Sequence, residues 1–178
     1  LCAKADLIVP NLTEAALLLD EPYRDGLRAR REIEDLMRRL SDLGPGKVVL
    51  TGVSSGEGAL GAAYFDAAAG ISGAHLAPRI EGYYHGTGDL FASVLVGALV
   101  TGRSLSDAVR LSVHFTAAAI RRTAKAGTDR RFGVNFEAGL AEGKGVVTVD
   151  GRMIENLHVD NARRALAMDE AIRALAED

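Results

Sequence analysis

The stretch KVVLTGV, residues 47–53, decides the class of fold. It is rich in β-branched residues and lacks polar alternation, which is typical of a strand buried on both faces of a sheet. Three further strands are predicted around it, DLIVP at 6–10, ALGAAYFDA at 59–67 and AHLAPRI at 74–80. The central strands of this chain are therefore expected to lie inside a layered structure.

Helical patterns alternate with these strands. A short helix is predicted after the cap residue Asn11, and an amphipathic helix over 26–43, where apolar residues recur every three or four positions. The apolar run that follows HGTGD in HGTGDLFASVLVGALVTG, 85–102, predicts a third helix, and the Ser104–Asp107 capping box opens a fourth. This order predicts an α/β fold, with helices on both faces of a largely parallel sheet.

The composition limits which binding partners and which cellular compartment are expected for this chain. The chain has 178 residues, 48% of them hydrophobic, which suits one folded domain. The formal net charge of −3 argues against nucleic acid, and no apolar run reaches the roughly 18 residues of a membrane span. The single cysteine, Cys2, cannot form an internal disulfide, so we expect a cytoplasmic protein without a signal peptide.

The turn before the third helix carries the most chemistry. Gly86 and Gly88 let the backbone approach a bulky anion, Thr87 adds a hydroxyl, and the helix N-terminus supplies unpaired N–H groups. Asp89 would lie in the first helical turn, where it is placed to take a proton from a hydroxyl group. The residues alone leave a second interpretation open, in which Thr87 or Asp89 simply caps the helix.

Other polar residues suit ordinary structural roles. Asn11 could be only a helix cap, Glu14 only a favourable acid in the first helical turn, and Thr51 only a strand end. The four histidines show no paired spacing for a metal, and neither a P-loop nor a dinucleotide-binding turn is present. We expect Tyr83 and Tyr84 to be packing residues.

Several spaced motifs together resemble one family. PRIEGYYHGTGDLFASVLVGAL at 78–99 and DRRFGVNFEAGL at 129–140 resemble bacterial pyridoxal kinases of the ribokinase-like superfamily. DLIVPNLTEAALLL and KVVLTGV are similar to the strand, the N-x-x-E element and the nucleotide-side strand of that superfamily. The resemblance covers about residues 3–141 and implies a three-layer α/β/α fold. It also implies phosphorylation of the 5′-hydroxymethyl group of pyridoxal, pyridoxine or pyridoxamine by ATP.

The resemblance implies roles for individual residues. Asp89 corresponds to the catalytic base of the family, and Gly86–Gly88 to its anion hole around the transferred phosphate. Asn11 and Glu14 correspond to the residues that hold Mg²⁺, mostly through water, and Thr51–Gly52 to a contact with the ATP phosphates. ATP, Mg²⁺ and a pyridoxal-type molecule are the implied partners, and the family implies a homodimer.

The end of the chain differs from the rest. We place a boundary at 142, with a kinase part over 1–142 and a tail over 143–178 that contains a hairpin, VVTVDGRMI, turning at Asp150-Gly151, and a charged helix. Residues 143–175 resemble the C-terminal segment of the citrate lyase β-subunit and malyl-CoA lyase group.

The family resemblance also implies that the kinase part is the C-terminal half of a longer domain, so the fold is incomplete. Two alternatives to an active kinase therefore remain. One is a non-catalytic fragment that binds nucleotide or forms oligomers, and the other is a component of a CoA-lyase type of enzyme.

Overall fold

The computed structural model describes residues 2–56 and 58–126, together with the backbone of two strands at 146–149 and 152–155. The chain divides into two compact units, Leu1–Arg79 and Ile80–Asp178. In the described residues no helix is long and apolar enough to cross a membrane.

The first unit combines a sheet with two α-helices. After a 3₁₀ turn at Cys2–Lys4, the strands and helices are β1 (Leu7–Ile8), α1 (Leu12–Leu18), α2 (Arg30–Ser41), β2 (Lys47–Ser54), β3 (Ala59–Asp66) and β4 (Ile71–Pro78). All four predicted strands are present, although β4 begins three residues before the predicted one.

Helix α2 is shorter than predicted, because its N-terminus is set by a side chain. Glu32 Oε2 accepts a hydrogen bond of 2.8 Å from the Ala29 amide, one residue before the helix begins. Gly26, which the sequence pattern placed inside the helix, has a φ of 102° and cannot belong to a right-handed helix.

The sheet is mixed, with the strand order β1-β2-β3-β4. Only β1 and β2 are parallel, whereas β2–β3 and β3–β4 are antiparallel. The α/β class is confirmed, but the expectation of a largely parallel sheet is wrong for these four strands. The connections at 55–58 and 67–70 are too short for a parallel crossover, which needs about a dozen residues.

Strand β2 lies at the centre of the first unit. Its successive residues Val48, Val49 and Leu50 are all fully buried, so both faces of the strand are covered, as the KVVLTGV pattern predicts. Helix α2 packs against this region through Met37 and Leu40, which are also buried. The core therefore holds in place the end of β2, where the candidate site residues Thr51 and Gly52 lie.

Gly61 allows β3 and β4 to approach each other closely. A Cβ at this position would lie 2.1 Å from the carbonyl oxygen of His75 and 2.8 Å from Leu76 Cα, both backbone atoms of the paired strand. We expect Gly61→Ala to lower the free energy of unfolding by about 1–3 kcal/mol, measured by urea denaturation. Gly46→Ala is the matched control, because its Cβ would meet nothing within 4 Å. Equal effects of the two substitutions would contradict this role of Gly61.

The second unit contains two long helices, α3 (Thr87–Val100) and α4 (Leu105–Ala126). Further along the chain β5 (Val146–Val149) and β6 (Arg152–Glu155) pair antiparallel, with Val149 opposite Arg152. This register confirms the predicted hairpin. The predicted charged helix after Asp160 lies outside the described residues.

Candidate functional site

The N-terminus of α3 is open. Gly86 precedes the helix in the left-handed conformation, with φ 74° and ψ 4°, and no described side chain caps this end. The first intrahelical bond runs from the Leu90 amide to the Gly86 carbonyl, at 3.0 Å. The amides of Thr87, Gly88 and Asp89 come before it and face the start of the helix, as the first N–H groups of any α-helix do.

The Thr87 hydroxyl does not contribute to this set of donors. It donates to the Tyr84 carbonyl oxygen at 3.3 Å, in the turn that precedes the helix. The interpretation of Thr87 as a cap is therefore wrong in this arrangement. The Thr87 hydroxyl was also expected to donate to an anion, but its hydrogen is used in this bond. The donors that remain for an anion are the backbone amides.

Asp89 is exposed and makes no hydrogen bond or ion pair with any residue that the structure describes. Asp107 occupies the equivalent third position of α4, and its carboxylate accepts hydrogen bonds from Arg110 and from the Ser104 hydroxyl. The Arg110 bond, followed by the Ser104 bond, lowers the pKa of Asp107. Capping is thus realised at α4 and not at α3, which leaves the Asp89 carboxylate available for another role.

Packing holds the start of α3 in place. Tyr84 is buried and packs with Leu90, Val94 and Phe115, so the chain entering the helix is anchored on the core of the second unit. The predicted packing role of Tyr84 is confirmed.

Tyr83 has a different environment from its neighbour. It is 77% exposed, and its ring meets the His85 ring edge-on at 4.9 Å. The prediction that Tyr83 is a packing residue is therefore wrong. Tyr83 and His85 lie three residues and one residue before Gly86. The sequence pattern did not reveal the contact between their rings, because each aromatic residue alone suits a core equally well.

In the first unit, Asn11 and Glu14 form a complete capping box on α1. Asn11 Oδ1 accepts from the amides of Thr13 and Glu14, each at 2.9 Å, and Glu14 Oε2 accepts from the Asn11 amide at 2.9 Å. Both residues are exposed at the start of the helix. The cap interpretation is confirmed here, and Glu14 Oε1 is the carboxylate oxygen that the box leaves over.

Thr51 and Gly52 lie where the regular ladder of β2 is interrupted. The register with β3 shifts between Thr51 and Val53, and Gly52 has a φ of 77°, so Gly52 is the extra residue of a β-bulge. Thr51 also forms a parallel bridge with Asn11, and its amide donates to the Pro10 carbonyl at 2.9 Å. The fold therefore brings the strand end and the N-x-x-E element together, which the sequence alone did not show.

Comparisons with known proteins show which family and which solved structures this chain resembles. A family model described as phosphomethylpyrimidine kinase matches residues 1–134. A phosphomethylpyrimidine kinase homologue from Bacteroides thetaiotaomicron, solved with pyridoxal, is 32% identical with a TM-score of 0.74, over 86% of this chain and 54% of that one. Pyridoxal kinase from Lactobacillus plantarum is 32% identical with a TM-score of 0.68, over 80% and 50%.

The predicted ribokinase-like fold is confirmed by these similarities. Pyridoxal kinase from Staphylococcus aureus, in complex with AMP-PCP and pyridoxal, is 25% identical with a TM-score of 0.57, over 68% of this chain and 44% of that one. The chain thus spans about half the length of the solved structures it matches.

A short similarity points to a different enzyme. A (3S)-malyl-CoA thioesterase from Cereibacter sphaeroides is 51% identical over 39 residues, which is 22% of this chain and 14% of that protein. This match gives weak support to the resemblance of the tail to the malyl-CoA lyase group.

Proposed function

We propose that this chain, which belongs to the phosphomethylpyrimidine kinase family, transfers the γ-phosphoryl group of ATP to the hydroxymethyl group of a pyridoxal-type vitamin. That the substrate is pyridoxal, pyridoxine or pyridoxamine follows from the sequence resemblance. Similar proteins solved with pyridoxal, and with AMP-PCP together with pyridoxal, support it.

The observation that carries the proposal is the uncapped N-terminus of α3. Backbone amides and the helix dipole at such a terminus attract phosphate oxygens, and glycines keep the approach free of side chains. Among the described residues, a Cβ at Gly86 or at Gly88 would meet nothing within 4 Å, so no described side chain fills the space beside these glycines. The Asp89 carboxylate, which has no partner among those residues, then stands directly beside an anion site.

In the proposed reaction, Asp89 accepts the proton of the substrate hydroxyl as the oxygen attacks the γ-phosphorus of ATP. The bond between that phosphorus and the bridging oxygen of the β-phosphate breaks, and ADP leaves with the electron pair. The amides at Gly86–Gly88 stabilise the charge that develops on the equatorial oxygens of the transferred group. Asp89 therefore has a function that neither a cap nor a surface acid would have.

The N-x-x-E element fits a Mg²⁺ ion only through water. Asn11 Oδ1 and Glu14 Oε2 are both used in the capping box, so Glu14 Oε1 is the remaining carboxylate oxygen. Among the described residues there is no group of three or more histidine, cysteine or acidic side chains that could hold a metal. Mg²⁺ keeps several of its waters when it binds with phosphates, so one outer carboxylate is a suitable contact. The ion would neutralise charge on the ATP phosphates.

Replacing Glu14 by Gln should separate its role in the helix cap from its proposed role in binding Mg²⁺. The amide oxygen of Gln still accepts the hydrogen bond from Asn11, so the melting temperature should change little. The Mg²⁺ concentration for half-maximal rate should rise several-fold, because the water-mediated contact loses its negative charge. An unchanged Mg²⁺ titration would remove Glu14 from the metal site and leave it as a cap.

A direct assay tests the proposal as a whole. The purified protein is incubated with ATP and Mg²⁺ and with pyridoxal, pyridoxine, pyridoxamine or hydroxymethylpyrimidine in turn, and the phosphorylated product is measured by mass spectrometry. We expect phosphorylation of at least one pyridine substrate. Preference for the pyrimidine would move the assignment to the other substrate class of the family.

A second candidate is a nucleotide-binding or oligomerising fragment without transfer activity. The observation that favours it is that the chain spans about half the length of the structures it matches. Binding of AMP-PCP without phosphorylation of any substrate would support this alternative. The third hypothesis is a component of a CoA-lyase type of enzyme. Its support is the short match to a malyl-CoA thioesterase.

The proposal includes the organisation of the chain and its setting. The kinase part extends over 1–142 and the tail over 143–178, a boundary that the end of the family match at 134 supports. We place the protein in the cytoplasm, and we propose a homodimer, as the family resemblance implies.

A further inference from the structure

The first unit contains a cavity that the proposed reaction does not use. Its volume is about 500 Å³, within the usual range for sites that bind small molecules. One side is apolar and is formed by the inner face of α2 and by the strands, through Ile33, Met37, Val53 and Leu76. We call this space the α2 cavity.

The other side of the α2 cavity is polar, with Arg28, Arg30, Ser54 and Ser55. The charge of Arg30 is balanced, since its Nε lies 2.9 Å from Glu34 Oε1. The hydrogen bond from Arg30 is also what lowers the pKa of Glu34 most strongly. Ser54 donates its hydroxyl to the Ala59 carbonyl at 2.8 Å.

Arg28 differs from the other groups in this wall. Its Nη2 donates to the Arg24 carbonyl at 3.2 Å, while its Nε is buried and has no hydrogen-bond partner among the described residues. Leaving a buried charged donor without an acceptor is costly, so this guanidinium has unused hydrogen-bonding capacity.

Arg28 also borders a smaller neighbouring cavity, and the three acids that line it, Glu21, Glu32 and Asp35, are already paired. Glu32 pairs with Arg24, and both Glu21 and Asp35 pair with Arg39. Within the described part of the chain, Arg28 has no ion pair, so it supplies the uncompensated positive charge of the α2 cavity.

From these features we infer that the α2 cavity binds a small amphipathic anion, with its oxyanion on Arg28 and its apolar body against α2 and the sheet. The ligand class is a phosphate monoester or carboxylate of an aromatic or similarly compact apolar group. The guanidinium offers paired N–H donors that match an oxyanion, and the apolar wall provides burial for the rest of the molecule. The inference does not depend on the proposed transfer reaction.

Pyridoxine 5′-phosphate is a suitable probe, because it combines an aromatic ring with a phosphate monoester and carries no aldehyde that could react with lysine. Its binding is measured by isothermal titration calorimetry in the presence of saturating AMP-PCP and Mg²⁺, which would occupy the anion site at α3. We expect saturable binding under these conditions, and weaker binding of pyridoxine and of inorganic phosphate alone.

Three variants locate the binding. Arg28→Met, which keeps the apolar stem, should weaken binding about ten- to a hundredfold. Arg31→Met is the matched control, because Arg31 is exposed and does not border the cavity, and it should bind normally. Ala74→Leu places added volume at an exposed position of the lining, so it should abolish binding while the protein stays folded by circular dichroism.

Several results would overturn the inference. These are no saturable binding to the unaltered protein, equal affinities of the Arg28→Met and Arg31→Met variants, or normal binding to Ala74→Leu. Saturable binding that appears only when AMP-PCP is left out would instead identify the α2 cavity as part of the nucleotide site. Loss of kinase activity alone would affect the proposed function and leave this inference untouched.

Discussion

Replacing Asp89 by Asn is expected to lower kcat for phosphorylation of the vitamin by about 10²- to 10⁴-fold, the usual contribution of a positioned general base. The amide has nearly the same shape as the carboxylate but cannot accept the proton of the substrate hydroxyl. Binding of AMP-PCP, measured by calorimetry, should be kept, because removing a negative charge beside the phosphate site does not weaken it. The rates are compared under saturating ATP and substrate.

Asp107→Asn is the matched control for this substitution. Asp107 has the same position in α4 as Asp89 has in α3, but its carboxylate is bound to Ser104 and Arg110. The control variant should lose stability and keep its turnover. Asp89→Asn should lose turnover and keep its stability, since Asp89 has no described partner to lose. Near-normal turnover of Asp89→Asn would refute the base assignment.

Gly88→Ala is expected to raise stability and to lower activity at the same time. Gly88 is the second residue of α3, and a Cβ there would meet no atom of the described residues within 4 Å, so alanine should stabilise the fold by about 0.4–1 kcal/mol. The same methyl group would enter the space in front of the amides and displace the phosphate, which we expect to lower kcat/KM by about 10²-fold. Thermal unfolding and steady-state kinetics measure the two effects.

Gly86→Ala provides the comparison. Gly86 has a φ of 74°, so alanine there is strained by about 1–2 kcal/mol, and both stability and activity should fall. If Gly88→Ala stabilised the protein and left kcat/KM unchanged, the start of α3 would be only a helix end and the anion-hole assignment would be wrong.

Much of the local structure could be predicted from the residues alone. The capping box at Asn11, the Ser104 cap of α4 and the antiparallel hairpin in the tail each depend on neighbours within a few positions. The burial of β2 on both faces follows from its continuous apolar run. Composition and periodicity record such short-range preferences directly. The start of α3 directly after Gly86 belongs to the same group, since it follows from one glycine and the apolar run behind it.

The pairing of strands was not predictable in the same way. The alternation of strand and helix patterns predicted a largely parallel sheet. In the structure, however, β3 and β4 pair with each other in antiparallel orientation. Buried apolar strands have the same composition in both orientations, so only the length of the connections and the packing of the whole sheet distinguish them.

The chemistry of the site shows the same division. The sequence by itself determined that a glycine turn, backbone amides and a carboxylate stand together at residues 86–89, because these groups are adjacent in the chain. Only the tertiary structure decided that Asp89 has no partner among the described residues and that Thr51 lies beside Asn11. The physical reason is that hydrogen-bond partners are chosen by distances through space, whereas a sequence pattern records only the separation along the chain.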